Sequence, residues 1–233
     1  MYETPSRPCA HRQGRVLSLF ATVLLFAACG DEAAPVDDAN AGVRQVTTWH
    51  DPDNKTAKES EGQTRYGKEY GDWVWFHPTG EVRKRGSYED GVQSGSWQEF
   101  YPTGEVRLEH TYVAGKEEGP VTGYYQNGQV RESHNFEGGL RNGDSTTYFP
   151  NGTKSLTVKY AGDQRTGKAS AYFDTGDLRS EVEMVNGKKN GVEMQYHPDG
   201  SKGVETHFDA GLRTGNTTGW FANGTLQLEG QFK

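Results

Sequence analysis

The chain has 233 residues, a formal net charge of −7 and only two cysteines, Cys9 and Cys29. An acidic chain is a poor match for nucleic acid, which requires clustered positive charge. The position of both cysteines near the start excludes a disulfide, a cysteine-based metal site and a thiol nucleophile from the rest of the chain. The high content of glycine (31 residues) and of aromatic residues (12%) favours an all-β fold with short strands and tight turns.

Residues 1–28 have the features of a lipoprotein signal peptide. Three arginines precede an apolar run over 16–28 that is too short for a membrane-spanning helix. The run closes as FAACG at 26–30, which resembles the bacterial lipobox and implies lipidation of Cys29. A plain cleaved signal is the alternative. Removal of 1–28 takes away three arginines and one glutamate and changes the net charge from −7 to −9. We therefore expect a lipid-anchored protein of the cell envelope that faces the periplasm or the exterior, in the outer membrane if the source is Gram-negative.

Residues 29–65 are predicted to form the lipidated cysteine and a flexible tether, because this segment is polar and lacks periodicity. A short strand over 43–49, with Trp49 docked on the first repeat, is the alternative interpretation.

Residues 66–233 consist of seven repeats of 24 residues. Two glycine columns and one aromatic column recur at this interval without a shift. The first glycine column is Gly71, Gly95, Gly119, Gly143, Gly167, Gly191 and Gly215, and the second is Gly80, Gly104, Gly128, Gly152, Gly176, Gly200 and Gly224. The aromatic column is Phe76, Phe100, Tyr124, Tyr148, Tyr172, Tyr196 and Trp220. Such regularity predicts an array in which each unit packs on its neighbours.

Each repeat is predicted to run as strand, tight turn, strand, longer turn. The tight turn, Pro-Thr-Gly at 78–80, has the chemistry of a type I turn with a glycine bulge, which pairs position 76 with 82 and 77 with 81. Alternating polarity over 82–88 predicts one apolar and one wet face, with the aromatic column on the apolar one. The longer turn carries a third glycine column, which shifts by one to Gly162 at Asp163.

The predicted fold is an elongated single-layer antiparallel β-meander of seven hairpin repeats, or fourteen strands. The last strand is expected to present a bare edge that a second copy, as an edge-to-edge homodimer, or a partner strand would cover.

The repeats resemble a known family. The segment YYQNGQV at 124–130 has two aromatics, Asn-Gly and an aliphatic residue, and a second glycine-marked turn follows. This pattern resembles the MORN repeat in its bacterial variant form, which is also found in YwqK-family antitoxins. The resemblance covers residues 66–233. It implies a single-layer sheet that serves as a scaffold, a membrane-associated protein or a toxin-neutralising partner.

A stripe of aromatic residues and arginines is the candidate ligand-binding site, predicted on the face opposite to the apolar one. Tyrosine and arginine are enriched at interface hot spots, and aromatic rings stack on flat faces. The alternative is that the stripe supports the sheet through cross-strand pairs. The stripe comprises Tyr101, Tyr125, Phe149, Phe173 and Phe221 with Arg83, Arg107, Arg131 and Arg179.

Neither a catalytic site nor a metal or cofactor site is predicted. His110 and His134 share a column, but equivalent positions lie two strands apart, about 9.6 Å, which is too far for one zinc. A column of carboxylates, Glu109, Glu181, Glu205 and Glu229, is interpreted as a solvated face. The sequence therefore predicts a membrane-anchored, non-catalytic scaffold or protein-binding module. A toxin-neutralising partner and a cell-wall glycan binder are the alternatives.

Overall fold

One open antiparallel sheet makes up the described part of the chain, residues 42–232 of the computed structural model. The strands are β1 (Val43–Trp49), β2 (Lys58–Arg65), β3 (Lys68–Phe76), β4 (Val82–Glu89), β5 (Val92–Phe100), β6 (Val106–Val113), β7 (Lys116–Glu117), β8 (Gly119–Tyr124), β9 (Val130–Glu137), β10 (Leu140–Arg141), β11 (Gly143–Tyr148), β12 (Lys154–Ala161), β13 (Gln164–Tyr172), β14 (Leu178–Val185), β15 (Lys188–Tyr196), β16 (Lys202–Asp209), β17 (Leu212–Trp220) and β18 (Leu226–Phe232).

The strands pair in the order of the sequence, as a meander. The short strands β7 and β10 are the first parts of interrupted strands that continue as β8 and β11, since β6 pairs with both β7 and β8, and β9 with both β10 and β11. If each of these pairs is counted as one strand, the eighteen strands form eight hairpins. The predicted all-β, single-layer meander is therefore confirmed. Within residues 42–232 no helix has the length and apolarity needed to cross a membrane.

The tight turn of each of the seven repeats has the predicted register. In the first repeat the His77 amide donates to the Glu81 carbonyl over 2.8 Å, and the Gly80 amide donates to the His77 carbonyl over 2.9 Å. Gly80 has a φ of 102°, which favours glycine. Phe76 pairs with Val82. The turn chemistry read from Pro-Thr-Gly was therefore sufficient to predict the pairing of these residues.

A bulge follows this turn and changes which side chains share a face. Trp75 pairs with Lys84 rather than with Arg83, so Arg83 is an extra residue in β4. Because a bulge interrupts the alternation of side chains, Lys84 lies on the face of Trp75, while Val82 stays on the face of Phe76. The prediction that the aromatic column lies on the apolar face was therefore wrong.

Contacts across the sheet confirm this assignment of faces. Lys84 Nζ lies 4.2 Å from the ring centroid of Trp75, whereas the Arg85 guanidinium lies 5.2 Å from the ring of Phe100. We call the two sides the tryptophan face and the carboxylate face. The tryptophan face carries Trp73, Trp75, Lys84, Tyr88 and Trp97 in the first repeats, and the carboxylate face carries Phe76, Arg85, Gln98, Phe100 and Glu109.

The second turn of each repeat is shorter than the first, which corrects the prediction of a longer turn. Glu89 pairs with Val92, and only Asp90 and Gly91 lie between them, with φ of 50° and 84°. Two successive residues with positive φ make the type I′ turn that fits the twist of a hairpin. The turn at Asp163 has the same length as the others, so the predicted shift by one residue does not occur. Gly162 (φ 55°) is its first central residue and Asp163 (φ 64°) is its second.

Residues 43–65 form an eighth hairpin, so the prediction of a flexible tether was wrong for this segment and the alternative strand over 43–49 is confirmed. Trp49 pairs with Lys58 beside a bulge, as Phe76 pairs with Val82. The His50 amide donates to the Ala57 carbonyl over 2.9 Å, which is the bond that His77 makes in the next unit. The predicted signal peptide and the predicted lipidation site at Cys29 lie outside the described residues.

The core lies on the tryptophan face, and in the first described units it is built from indoles packed over glycines. A Cβ at Gly62 would lie 2.2 Å from the Trp73 ring, and a Cβ at Gly86 would lie 2.1 Å from the Trp97 ring. Each indole thus lies directly over the backbone of the preceding unit. This contact joins β2 to β3 and β4 to β5.

Candidate binding surface

A cluster of aromatic rings covers the tryptophan face of the first described units. The Trp75 ring stacks between Trp73 and Trp97, with centroid distances of 5.8 and 5.5 Å. Tyr88 meets Trp97 edge-on at 5.2 Å, and Tyr112 meets it at 5.8 Å. Trp97 is only 2% exposed, whereas Trp75, Tyr88 and Tyr112 are half-buried. Burial raises the pKa of Tyr88 and of Tyr112, which places both phenols in a poorly solvated environment.

A basic concavity lies beside this cluster. It has a volume of about 350 Å³. Its lining residues are His77, Arg83, Lys84, Glu99, Phe100, Tyr101, Pro102 and Arg107. Arg107 forms an ion pair with Glu99. Burial beneath the indoles lowers the pKa of Lys84, and the neighbouring Arg83 lowers it further.

Three residues of the predicted stripe meet in this concavity, namely Arg83, Tyr101 and Arg107. They were predicted on the face opposite to the apolar one, but Lys84 and Glu99 line the same concavity, which places it on the tryptophan face. That part of the prediction was wrong, and the reason is again the bulge at Arg83.

The other predicted residues are spread along the array. The Tyr125 hydroxyl donates to the Tyr148 carbonyl over 2.7 Å, as the Tyr101 hydroxyl does to the Tyr124 carbonyl. These bonds tie each of the two units to the next one. The remaining members are Phe149 and Phe173, which are half-buried, Phe221, which is 49% exposed, Arg131, which pairs with Glu132, and Arg179, which is exposed.

Sequence reasoning missed a hydrogen-bonded series on the tryptophan face. Ser145 Oγ lies 2.7 Å from His134 Nδ1, and His134 Nε2 lies 3.3 Å from Glu132. Ser145 lies in the column of Trp97, and His134 lies in the column of Gly86. The contact between these two columns is therefore polar between Ser145 and His134, whereas Trp97 packs over Gly86. Comparing the two columns pair by pair across the repeats would have revealed this series.

The carboxylate face is more structured than the solvated column that was predicted. Glu109 accepts hydrogen bonds from Gln98 and from the Tyr124 hydroxyl, each over 2.8 Å. The bond to Glu109 raises the pKa of Tyr124, and burial adds to the shift. Glu181 likewise accepts a hydrogen bond from Tyr196. These carboxylates therefore link neighbouring hairpins.

Comparisons with known proteins identify the type of repeat. Residues 69–90, 93–114 and 117–137 each match the family described as the MORN repeat variant. No curated protein matches the chain. A crystal structure of the GtfA/B complex bound to UDP and GlcNAc is similar at 16% identity over 50% of this chain and 23% of that chain. The TM-score is 0.22, which is too low to indicate a shared fold. Three consecutive repeats of the chain are therefore similar to the MORN repeat variant.

Proposed function

We propose that the protein is a membrane-anchored, non-catalytic binding module that holds a protein partner on its tryptophan face. The observation that carries this proposal is the cluster of aromatic rings, of which Trp75, Tyr88 and Tyr112 are partly exposed, on one face of a sheet that has no second layer within residues 42–232. Tryptophan, tyrosine and arginine dominate the binding energy of protein interfaces. Cys29, once lipidated, would attach the array to the membrane of the cell envelope.

A protein partner fits this surface better than a cell-wall glycan. A sugar would stack on the open face of an aromatic ring. The ammonium group of Lys84 lies over Trp75 at 4.2 Å, so one face of this indole is already in contact with a cation. A toxin-neutralising role would be one form of such protein binding, and a toxic reading frame beside the gene would favour it.

Crosslinking in intact cells tests the proposed surface. The full chain and two variants, Trp75→Ala and Phe76→Ala, would be crosslinked and purified after circular dichroism shows that all three are folded. These neighbouring residues lie on opposite faces, so the pair is a matched comparison. We expect Trp75→Ala to lose a crosslinked protein that Phe76→Ala retains. Loss in Phe76→Ala alone would assign the surface to the carboxylate face, and equal capture by both would refute the proposal.

The anchor is tested separately with Cys29→Ser. We expect the wild-type chain to incorporate a fatty-acid analogue and to sediment with membranes, and the variant to do neither. A variant that still sediments with membranes would show that Cys29 is not the anchor.

A further inference from the structure

Three cations surround the concavity, although the chain is acidic. Arg83, Lys84 and Arg107 face a single lining carboxylate, Glu99, which pairs with Arg107. Within residues 42–232, neither Arg83 nor Lys84 forms an ion pair. The concavity thus has a local excess of positive charge on a chain whose formal net charge is −7. A field of this sign attracts an anionic group.

The bulge in β4 creates this concentration of charge. In a regular strand Arg83 and Lys84 would point to opposite faces. Because Arg83 is the extra residue of the bulge, both side chains line the same concavity. Lys84 Nζ lies over the rings of Trp75 and Trp97, at 4.2 and 5.7 Å from their centroids. Two cations are therefore fixed side by side by the backbone and by aromatic packing.

His77 differs from the other polar members of its column. Three members of its column bond to a backbone carbonyl of the next unit, namely Tyr101, Tyr125 and His197, at 2.7, 2.7 and 2.8 Å. His77 lines the concavity, and its Nε2 atom is buried without a hydrogen-bond partner in the structure. A buried polar atom without a partner is costly, so His77 is less well satisfied than the other polar members of its column.

We propose that this concavity binds a carboxylate of an acidic segment in a protein partner, with Arg83 and Lys84 as the contacting cations. The inference rests on the proposed function and adds the chemistry of the partner. Glu99 shows that the site accommodates a carboxylate, since its side chain already lies against Arg107. Glu99 repels both kinds of anion, but it repels a doubly charged phosphate about twice as strongly as a singly charged carboxylate at the same distance. The adjacent indoles give apolar contact to the neighbouring side chains of a peptide.

Titration of the purified full chain with a short oligoglutamate peptide with blocked ends tests this inference, with tryptophan fluorescence as the signal because Lys84 touches Trp75 and Trp97. We expect saturable binding that weakens with salt. Arg83→Gln should weaken it about fivefold, which is the upper range for an exposed ion pair. Arg85→Gln is the matched control, because it removes the same charge from the carboxylate face of the same strand, and it should change binding by less than about twofold.

Equal weakening by Arg83→Gln and Arg85→Gln would overturn the site in favour of general attraction by charge. Displacement of the peptide by inorganic phosphate at matched ionic strength would overturn the choice of a carboxylate. Arg83→Lys should restore part of the affinity, and circular dichroism would confirm that each variant is folded. If the peptide fails to bind while Trp75→Ala still loses a partner in cells, this inference fails and the proposed function stands.

Discussion

Two different physical reasons require glycine in this chain. Gly80 and Gly91 have positive φ and serve the turns. Gly62 and Gly86 lie within strands, and their requirement comes from an indole that occupies the space of a side chain. The glycine columns of the repeat reveal the first group. The second group can be recognised only when each glycine is compared with the tryptophan of the next unit that packs over it.

Substitution of Gly86 by alanine should destabilise the protein, because the new Cβ would lie 2.1 Å from the Trp97 ring and the indole must move. The expected loss is about 1–3 kcal/mol in the free energy of unfolding, the usual range for an overpacked core. Denaturant unfolding followed by circular dichroism measures it. Gly230→Ala is the matched control, because Gly230 occupies the same column and no atom lies within 4 Å of its added Cβ. Equal effects of both substitutions would contradict this explanation.

At the scale of the strand, the bulge at position 83 decides which residues meet. The sequence was sufficient to predict the repeat length, the turns and the pairing of Phe76 with Val82, because these depend on local chemistry at Pro-Thr-Gly. It was insufficient for the faces, because a bulge leaves no mark of its own in the polarity of Arg83 and Lys84. The concavity depends on this bulge, so the candidate site could be predicted only in part, as the meeting of Arg83, Tyr101 and Arg107.

The eighth hairpin was missed for a related reason. Its turn contains the segment between His50 and Ala57, whereas the following unit needs only the segment between His77 and Glu81. Because of these additional turn residues, the spacing between Trp49 and Phe76 is not 24 residues. The two residues nevertheless occupy equivalent positions, since each pairs with the opposite strand beside a bulge. An insertion in a surface turn costs little free energy of folding, but it removes the periodicity by which repeats are recognised in a sequence.

The series from Ser145 to Glu132 predicts a pH-dependent stability. Burial alone would raise the pKa of Glu132, but hydrogen bonds from Arg131 and His134 outweigh it, and the pKa lies below its ordinary value of 4.5. A carboxyl whose pKa is depressed on folding stabilises the protein above 4.5, and this contribution disappears as the pH falls through the folded value. Glu132→Gln should therefore lower Tm at neutral pH, and the difference from wild type should shrink in the acidic range. A difference in Tm that is constant from neutral to acidic pH would refute this account.

At the scale of the whole sheet, each hairpin contacts only its sequence neighbours, so stability is a sum over units and the contacts between them. These contacts are not equivalent. Trp97 can pack in its place only because residue 86 is a glycine. Val158 and Val182, by contrast, are identical residues in the same column of consecutive units. Val158 and Val182 can therefore replace each other in this column, whereas Gly86 cannot be replaced by a larger residue beneath Trp97.

Deletion of single units should reveal this difference. Deletion of residues 163–186 brings Val158 to the place of Val182, so we expect a folded chain with a cooperative transition. Deletion of residues 91–114 has the same length but leaves Gly86 beside Val121 in place of Trp97, and the lost packing of a tryptophan is worth about 3–5 kcal/mol. Urea unfolding compares the two midpoints. Similar midpoints would show that the aromatic contacts are not specific.

The meander has a mechanical consequence. In an antiparallel sheet the hydrogen bonds run across the strands, and here every strand from β1 to β18 joins the next along that same direction. A load applied between the two ends of the array would pull along these bonds and part them one after another. Such a ribbon unzips gradually under tension, so it would lengthen hairpin by hairpin before the two ends lose their connection.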